Sequence, residues 1–76
     1  MSQVSEFDKG WWNCFISFAN ELSMWERDCE KVIQAVMVGA GVKVCEIDWV
    51  LNEFNEIIET RVKQELLRYR AKELWK

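Results

Sequence analysis

The chain contains no proline and only three glycines among its 76 residues. These two residue types most often interrupt regular structure, and a β fold of this size needs many turns. Residues with high helix propensity, such as glutamate, lysine and leucine, occur throughout the chain. The sequence therefore predicts an all-α fold of three helices, and a chain this short forms a single domain over residues 1–76.

The first predicted helix covers residues 6–22, with Ser5 as its N-cap. Two apolar residues, Trp12 and Ile16, lie on the flank of its apolar face, outside the arc that one packing surface needs. We therefore expect them to meet a second neighbour. The face itself repeats at steps of three and four residues and consists of Phe7, Trp11, Cys14, Phe15, Phe18 and Leu22.

The second predicted helix covers residues 24–38. Ser23 and Glu26 have the spacing of a capping box, in which each side chain accepts a backbone N–H of the other residue. Trp25 then begins the apolar stripe of this helix, so we expect its ring in the core, together with that of Trp11. Gly39 and Gly41 favour a left-handed C-cap after the helix.

The third predicted helix is long and covers residues 46–74. Its apolar stripe changes side after Val62, because Arg61 and Glu65 fall in the middle of the earlier stripe. Either the helix bends near Arg61, or its last turns bury a different face against something else. No glycine or proline marks a kink there, which favours the second interpretation. The sequence thus predicts a homodimer through four residues of the C-terminal segment: Leu67, Ala71, Leu74 and Trp75.

Catalytic chemistry has little support in the sequence. The chain has no histidine, which removes the commonest general base and zinc ligand. The three cysteines, Cys14, Cys29 and Cys45, include no C-x-x-C pair and lie on or beside apolar stripes, so we expect structural thiols. A zinc site of three cysteines and one carboxylate is the alternative. The prediction is a protein that is not an enzyme and that uses no cofactor and no metal.

The charges divide the chain unequally. Residues 1–60 carry four basic and eleven acidic side chains, whereas residues 61–76 carry six basic and two acidic ones. Helix dipoles explain part of this division, and a basic arm for an acidic partner is the other explanation. The N-terminus lacks the basic segment of a signal peptide, and no uncharged run is long enough to span a bilayer. We expect a cytoplasmic protein without a membrane partner.

One stretch, Ala40-Gly41-Val42 followed by Ile47 and Val50-Leu51-Asn52, resembles the turn and recognition helix of lac-repressor-type helix-turn-helix domains. The resemblance covers 13 residues, mostly turn and core positions, and implies a DNA-binding role. The positions that would face DNA carry Lys43, Glu46, Asp48 and Trp49, and phosphates would repel the two acids. A small transcriptional regulator is therefore the alternative function, and we do not expect a nucleic-acid partner.

Aromatic residues give the main functional hypothesis. The chain has five tryptophans, and tryptophan is enriched at the centres of protein interfaces. We expect a protein that acts without catalysis by occupying a surface on another protein. By size, charge and lack of chemistry, it compares with small phage-type inhibitors of bacterial defence systems, including anti-CRISPR proteins. The predicted partner-binding residues are Trp12, Ile16, Asp48 and Trp49, and the polar rim is Lys9, Asn13, Asp48 and Asn52.

Overall fold

A computed structural model describes residues 6–74 of the chain. Four helices follow one another: α1 (Glu6–Trp25), α2 (Cys29–Ala40), α3 (Val44–Glu53) and α4 (Thr60–Leu74). The last helix, α4, contacts the other three, and α1 also packs against α2. The all-α prediction is confirmed, and residues 6–74 contain no strand. The predicted N-cap Ser5 lies outside the described residues.

The first helix extends three residues beyond its predicted end, so the predicted capping box is wrong. The Ser23 hydroxyl donates to the carbonyl oxygen of Asn20 at 2.8 Å, as a serine within a helix does. The chain leaves the helix only after Trp25, and a three-residue link, 26–28, leads into α2. Trp25 therefore belongs to the last turn of α1 and does not begin the stripe of the next helix.

The second helix ends at Ala40, two residues later than predicted, so Gly39 lies inside it and Gly41 alone forms the predicted left-handed cap. Gly41 adopts a left-handed conformation with a φ of 67°, which is costly for residues with a Cβ. Its N–H donates to the carbonyl oxygen of Val38 at 3.1 Å, and the N–H of Val42 donates to that of Met37 at 3.2 Å. These bonds satisfy two of the last carbonyls of α2 and turn the chain into α3.

The predicted long third helix is interrupted at residues 54–59. This turn separates α3 from α4, and the side chain of Asn20 on α1 holds it in place. The Asn20 amide donates to the carbonyl oxygen of Ile57 at 2.7 Å and accepts the N–H of Glu59 at 3.0 Å. Because these bonds replace helical ones, the break needs neither glycine nor proline.

The core lies where α4 crosses the other helices. Its centre consists of residues with no measurable exposure, contributed by all four helices. Half-buried rings, among them Trp11 and Trp49, pack around this centre. The fully buried side chains are those of Trp12, Ala19, Cys29, Ile33, Met37, Ile47, Val50, Val62 and Leu66.

Candidate functional site

Two of the four predicted partner-binding residues belong to the core. Trp12 is 0% exposed and Ile16 is 1% exposed. The second neighbour expected for them is part of the same domain, because α1 packs against both α2 and α4 and thus buries a wider arc. Predicting them as a binding surface was therefore wrong. The Trp12 indole N–H is buried without a hydrogen-bond partner among the described residues.

The other two predicted residues lie on a different helix, α3. Trp49 is half-buried and meets Phe54 edge to face, with ring centroids 5.7 Å apart. Asp48 is exposed, and its Oδ1 accepts a hydrogen bond from Arg70 Nε at 2.7 Å. Since Asp48 pairs with α4 and Trp12 is in the core, the structure does not bring the four residues together as one surface.

The predicted self-association residues lie on the outer side of α4. Leu67 is 45% and Leu74 is 57% exposed, and Ala71 is exposed between them, whereas Trp75 lies outside the described residues. The prediction of self-association assumed one long helix, residues 46–74, whose apolar face changes side after Val62. Because the chain turns at residues 54–59, α4 faces the core with Val62 and Leu66, and the change of face needs no second copy.

Exposed aromatic rings occur instead on one flank of α1. Trp25, which the sequence placed in the core, is 70% exposed, and Phe18 is 47% exposed. Together with the exposed Cys14, these residues lie within roughly 40° of arc, because they are spaced four and seven positions apart. We call Cys14, Phe18 and Trp25 the aromatic flank. Glu21 is the charged residue that shares this side of the helix.

A second exposed apolar surface lies on α2. Residues 32–42 carry no charge, and Gln34 is their one polar side chain. Four exposed residues of α2, Val32, Ala35, Val38 and Gly39, form what we call the outer face of α2, and Val38 is 66% exposed. The exposed Lys31 lies between Ala35 and Val38 around the helix. This face borders an open groove of about 1000 Å³ that is lined by α2, by residues 41–44 and by Tyr69, Lys72 and Glu73 of α4.

The α2–turn–α3 unit has the order of a helix-turn-helix motif. Gly41 forms the turn, and Ile47 and Val50 of α3 are fully buried, as the resemblance implies for turn and core positions. The exposed side of α3 includes Asp48 and Glu53. Glu46 is half-buried, and its carboxylate accepts the N–H of Lys43 at 3.5 Å, at the start of the helix. The side that would face DNA is therefore mainly acidic.

Most of the basic side chains of α4 form hydrogen bonds or ion pairs within the domain. Arg61 donates to the carbonyl oxygens of Ser23 and Arg27 at 3.0 and 3.1 Å and pairs with Glu30 at 3.1 Å. These contacts join α4 to the corner between α1 and α2. The bond from its own backbone N–H, together with Arg61, lowers the pKa of the Glu30 carboxyl. Arg61 thus interrupts the sequence pattern because it binds backbone carbonyls.

The buried carboxylate of Glu65 has a similar explanation. It is 5% exposed, accepts a hydrogen bond from Gln34 at 3.0 Å and forms an ion pair with Arg68 at 2.7 Å. A buried charge is tolerated when it is paired and hydrogen-bonded. Glu65 therefore interrupts the apolar stripe because its carboxylate makes polar contacts that join α2 to α4.

The three cysteines have different environments. Cys29 is fully buried, and burial raises the pKa of its thiol, whereas Cys14 is exposed and Cys45 is half-buried. The expectation of a buried structural role is thus wrong for Cys14. Within residues 6–74, no three or more cysteine or acidic side chains come together in a group that could hold a metal ion. None of the described helices combines the length and apolar character needed to cross a membrane.

Comparison with known proteins gives no match: no family model fits the sequence, and no curated protein and no solved structure is significantly similar to it. The functional argument therefore depends on the residues described above. Sequence reasoning missed Trp25, Phe18 and the outer face of α2 as exposed groups. The uncharged run of residues 32–42 was a usable signal, since it leaves the solvent side of α2 after Lys31 without a charge.

Proposed function

We propose that this protein is a non-catalytic interaction module that binds another protein through the aromatic flank of α1. The observation that carries the proposal is the exposure of Trp25 and Phe18 in a chain with few other large exposed rings among its described residues. A small protein rarely leaves such rings in water unless a partner covers them. Tryptophan is also the residue type most enriched at interface hot spots.

The surroundings of the aromatic flank support a binding role. Trp25 and Phe18 together leave roughly 250 Å² of side chain in water, taking about 200–250 Å² for a whole aromatic side chain. A standard interface buries about 800 Å² on each partner, so these two rings supply about a third of one. Exposed polar residues at the edge, such as Glu21 and Arg27, fit the polar rim that surrounds a hot spot.

A pull-down from the native host, with bound proteins quantified by mass spectrometry, tests this proposal. We expect Trp25→Ala to fold normally, because the ring is mostly exposed, and to lose about thirtyfold in affinity, or about 2 kcal/mol. Leu74→Ala removes a comparably exposed apolar side chain from α4 and is the matched control. The proposal fails if a host protein is retained equally by the wild type and by both Trp25→Ala and Phe18→Ala.

Many small phage-type inhibitors of bacterial defence systems, including anti-CRISPR proteins, act by occupying a surface on their target. Size, net negative charge and the exposed aromatic flank support a role of this kind in the cytoplasm of a bacterial host. The test is specific: the wild-type protein should inhibit a defence complex at stoichiometric concentration, and Trp25→Ala should not. Inhibition that survives Trp25→Ala would place the active surface elsewhere.

A small helix-turn-helix regulator is the second candidate, and the order of α2, the turn at Gly41 and α3 supports it. Asp48 and Glu53 on the exposed side of α3 oppose it, because DNA affinity depends largely on cationic contacts to phosphates. A mobility-shift assay with mixed duplexes at low salt separates the candidates. We expect no shift for the wild type. A sequence-specific shift that is lost in Asn52→Ala but kept in Trp25→Ala would favour the regulator.

A further inference from the structure

The aromatic flank lies on the side of α1 that points away from α4. The side chain of Asn20 marks the opposite side, because it binds the turn that leads into α4. Phe18 and Trp25 lie roughly 140–160° around the helix from Asn20, at 100° per residue. They are 47% and 70% exposed, so α4 leaves both rings largely uncovered.

Helix α2 also exposes apolar side chains on the side away from α4. Gln34 marks its α4 side through hydrogen bonds to the backbone and carboxylate oxygens of Glu65. Val32 and Val36 lie roughly 160° around the helix from Gln34. Val32 is 37% exposed, and the half-buried Val36 packs against the core. Since α1 and α4 are the two helices that pack extensively against α2, both valines lie on its α1 side.

These residues of α1 and α2 meet along the contact between the two helices. The short link between the helices makes them antiparallel neighbours. Phe18 stands nine positions before Arg27 and Val36 nine positions after it, so the two lie at about the same height. The axes of packed helices are about 8–10 Å apart, which brings the side chains along this edge into one surface. We call this surface the α1–α2 seam, and it consists of Phe18, Trp25, Val32 and Val36.

A cavity opens at the far end of the seam, where α1 begins and α2 ends. Its volume is about 290 Å³, and the half-buried ring of Trp11 forms part of its wall. The other residues that line it are Asp8, Ala40, Gly41, Val42 and Glu46. Apolar walls combined with carboxylates fit the long aliphatic stem and the charged end of a lysine or arginine side chain.

The charges around the seam are mainly negative. The carboxylates that surround it belong to Asp8, Glu21, Glu26, Asp28 and Glu46. The basic residues of this region are Arg27, in the link, and Lys31, which lies roughly 100° around α2 from Val32. Lys43 adds a third beyond the end of α2, in the groove toward α4, whereas Lys9 lies on the opposite side of α1. Five carboxylates against three cations favour a partner with basic groups beside its apolar residues.

We propose that the α1–α2 seam binds an amphipathic helix of a partner protein, with an apolar stripe that is flanked by lysine or arginine residues. Two antiparallel helices form a groove between them, and a third helix fits such a groove with apolar residues at helical spacing. The proposal rests on the proposed function, because it uses the rings of the aromatic flank, and it adds α2 as the second wall of the site. One docked helix buries less than the roughly 800 Å² per partner of a standard interface, so the affinity should be micromolar.

Fluorescence anisotropy with a labelled model peptide tests the proposal. The probe has about 18 residues of leucine, alanine and lysine, about 27 Å as a helix, with the leucines on one face and the lysines beside them. We expect micromolar binding to the wild type and at least about tenfold weaker binding of two control peptides. One control has the same composition with the leucines distributed around the helix, and the other has glutamate in place of lysine.

Matched variants locate the binding surface. Val32→Gln should weaken binding of the lysine peptide about tenfold, because it places an amide in the apolar contact. Val38→Gln is the control and should bind normally, since Val38 is 66% exposed and lies roughly 120° around α2 from Val32. Glu21→Lys should weaken binding about threefold, and Glu53→Lys on α3 should leave it unchanged. Circular dichroism checks that the four variants keep their helices.

A measurement on the unchanged chain keeps the test decisive if Val32→Gln folds poorly. The exposed Cys14 belongs to the aromatic flank, whereas the half-buried Cys45 lies on α3. Peptide at about ten times its dissociation constant should slow alkylation of Cys14 about tenfold and leave the rate at Cys45 unchanged. An equal rate at Cys14 with and without the peptide would contradict the proposal.

Other results would also overturn the proposal. If the wild type does not bind the lysine peptide, or binds the glutamate peptide as tightly, the partner is not a basic helix. If Val32→Gln binds like the wild type and Trp25→Ala does not, the partner contacts α1 alone, and the proposed function stands without the seam. If sedimentation shows a dimer that Val32→Gln dissociates, a second copy covers the seam. Failure of the proposed function is seen separately, in a pull-down that Trp25→Ala leaves unchanged.

Discussion

Helices α2 and α4 pack against the same core but expose opposite kinds of surface. Between residues 32 and 42, α2 has no charged side chain, whereas the 15 residues of α4 include five basic and two acidic ones. On α4, Arg61 and Arg70 are bound to the rest of the domain by ion pairs to Glu30 and Asp48. Beyond Glu30 and Lys31, residues 32–40 of α2 carry no charge and form no ion pair of this kind among the described residues.

This difference shows where a partner is to be expected. Polar side chains that are paired within the domain, as on α4, are satisfied without another molecule. Apolar side chains in water, as on α2 and the aromatic flank, gain free energy only when another surface covers them. We therefore expect the functional surfaces on the α1–α2 side of the molecule.

The largest expected change is in the free energy of unfolding, and it shows whether α2 and α4 support the core equally. Met37 on α2 and Leu66 on α4 are each fully buried. Met37→Ala and Leu66→Ala should each lower the free energy of unfolding by about 2–5 kcal/mol through lost burial and the cavity left behind. Urea unfolding followed by circular dichroism measures this. If Met37→Ala costs less than about 1 kcal/mol, α2 is not packed as described.

A smaller effect is expected from the hydrogen bond that joins α4 to the turn after α2. The buried Tyr69 hydroxyl donates to the carbonyl oxygen of Val42 at 2.7 Å. Tyr69→Phe removes the donor and leaves that carbonyl unpaired, so it should cost about 1–3 kcal/mol of stability. The same unfolding experiment gives the value. An unchanged stability would mean that water reaches the Val42 carbonyl.

The exposed ion pair between Asp48 on α3 and Arg70 on α4 should contribute less to stability than the buried groups above. Asp48 and Arg70 are both substantially exposed in their 2.7 Å contact. A double-mutant cycle of Asp48→Ala and Arg70→Ala should give a coupling of about 0.2–1 kcal/mol that decreases at high salt. A coupling above about 2 kcal/mol, or one insensitive to salt, would show that α4 depends on this pair more than its exposure implies.

The three cysteines should differ in how they affect the pH dependence of stability and in how fast they react. Burial raises the pKa of Cys29 above its ordinary value of 9.0, so the folded state favours the protonated thiol. That contribution to stability is complete below pH 9.0 and is lost as the pH rises through the higher folded-state pKa. We expect Cys29→Ala to flatten the alkaline loss of stability. In alkylation of the native protein, the exposed Cys14 should react first and Cys29 last.

Two tryptophans of α1 show why the sequence misplaced the candidate site. The pattern placed Trp12 outside the core face and Trp25 inside the core, and the structure has the reverse, at 0% and 70% exposure. Helical periodicity gives the direction of a side chain around its own helix. It does not give the number of neighbours, and α1 has two. Trp25 was assigned to the wrong helix because Ser23 and Glu26 have capping-box spacing.

The sequence by itself determined the helical class, through the 3.6-residue patterns, the few glycines and the lack of proline, and it indicated the left-handed cap that follows α2. At Gly41 the left-handed conformation favours a residue without a Cβ, which is a local requirement that the sequence displays. Only the tertiary structure decided the break at 54–59, because the side chain that binds that turn is Asn20, on a different helix. It also decided which apolar faces stay in water, since the burial of a face depends on the helices that pack against it.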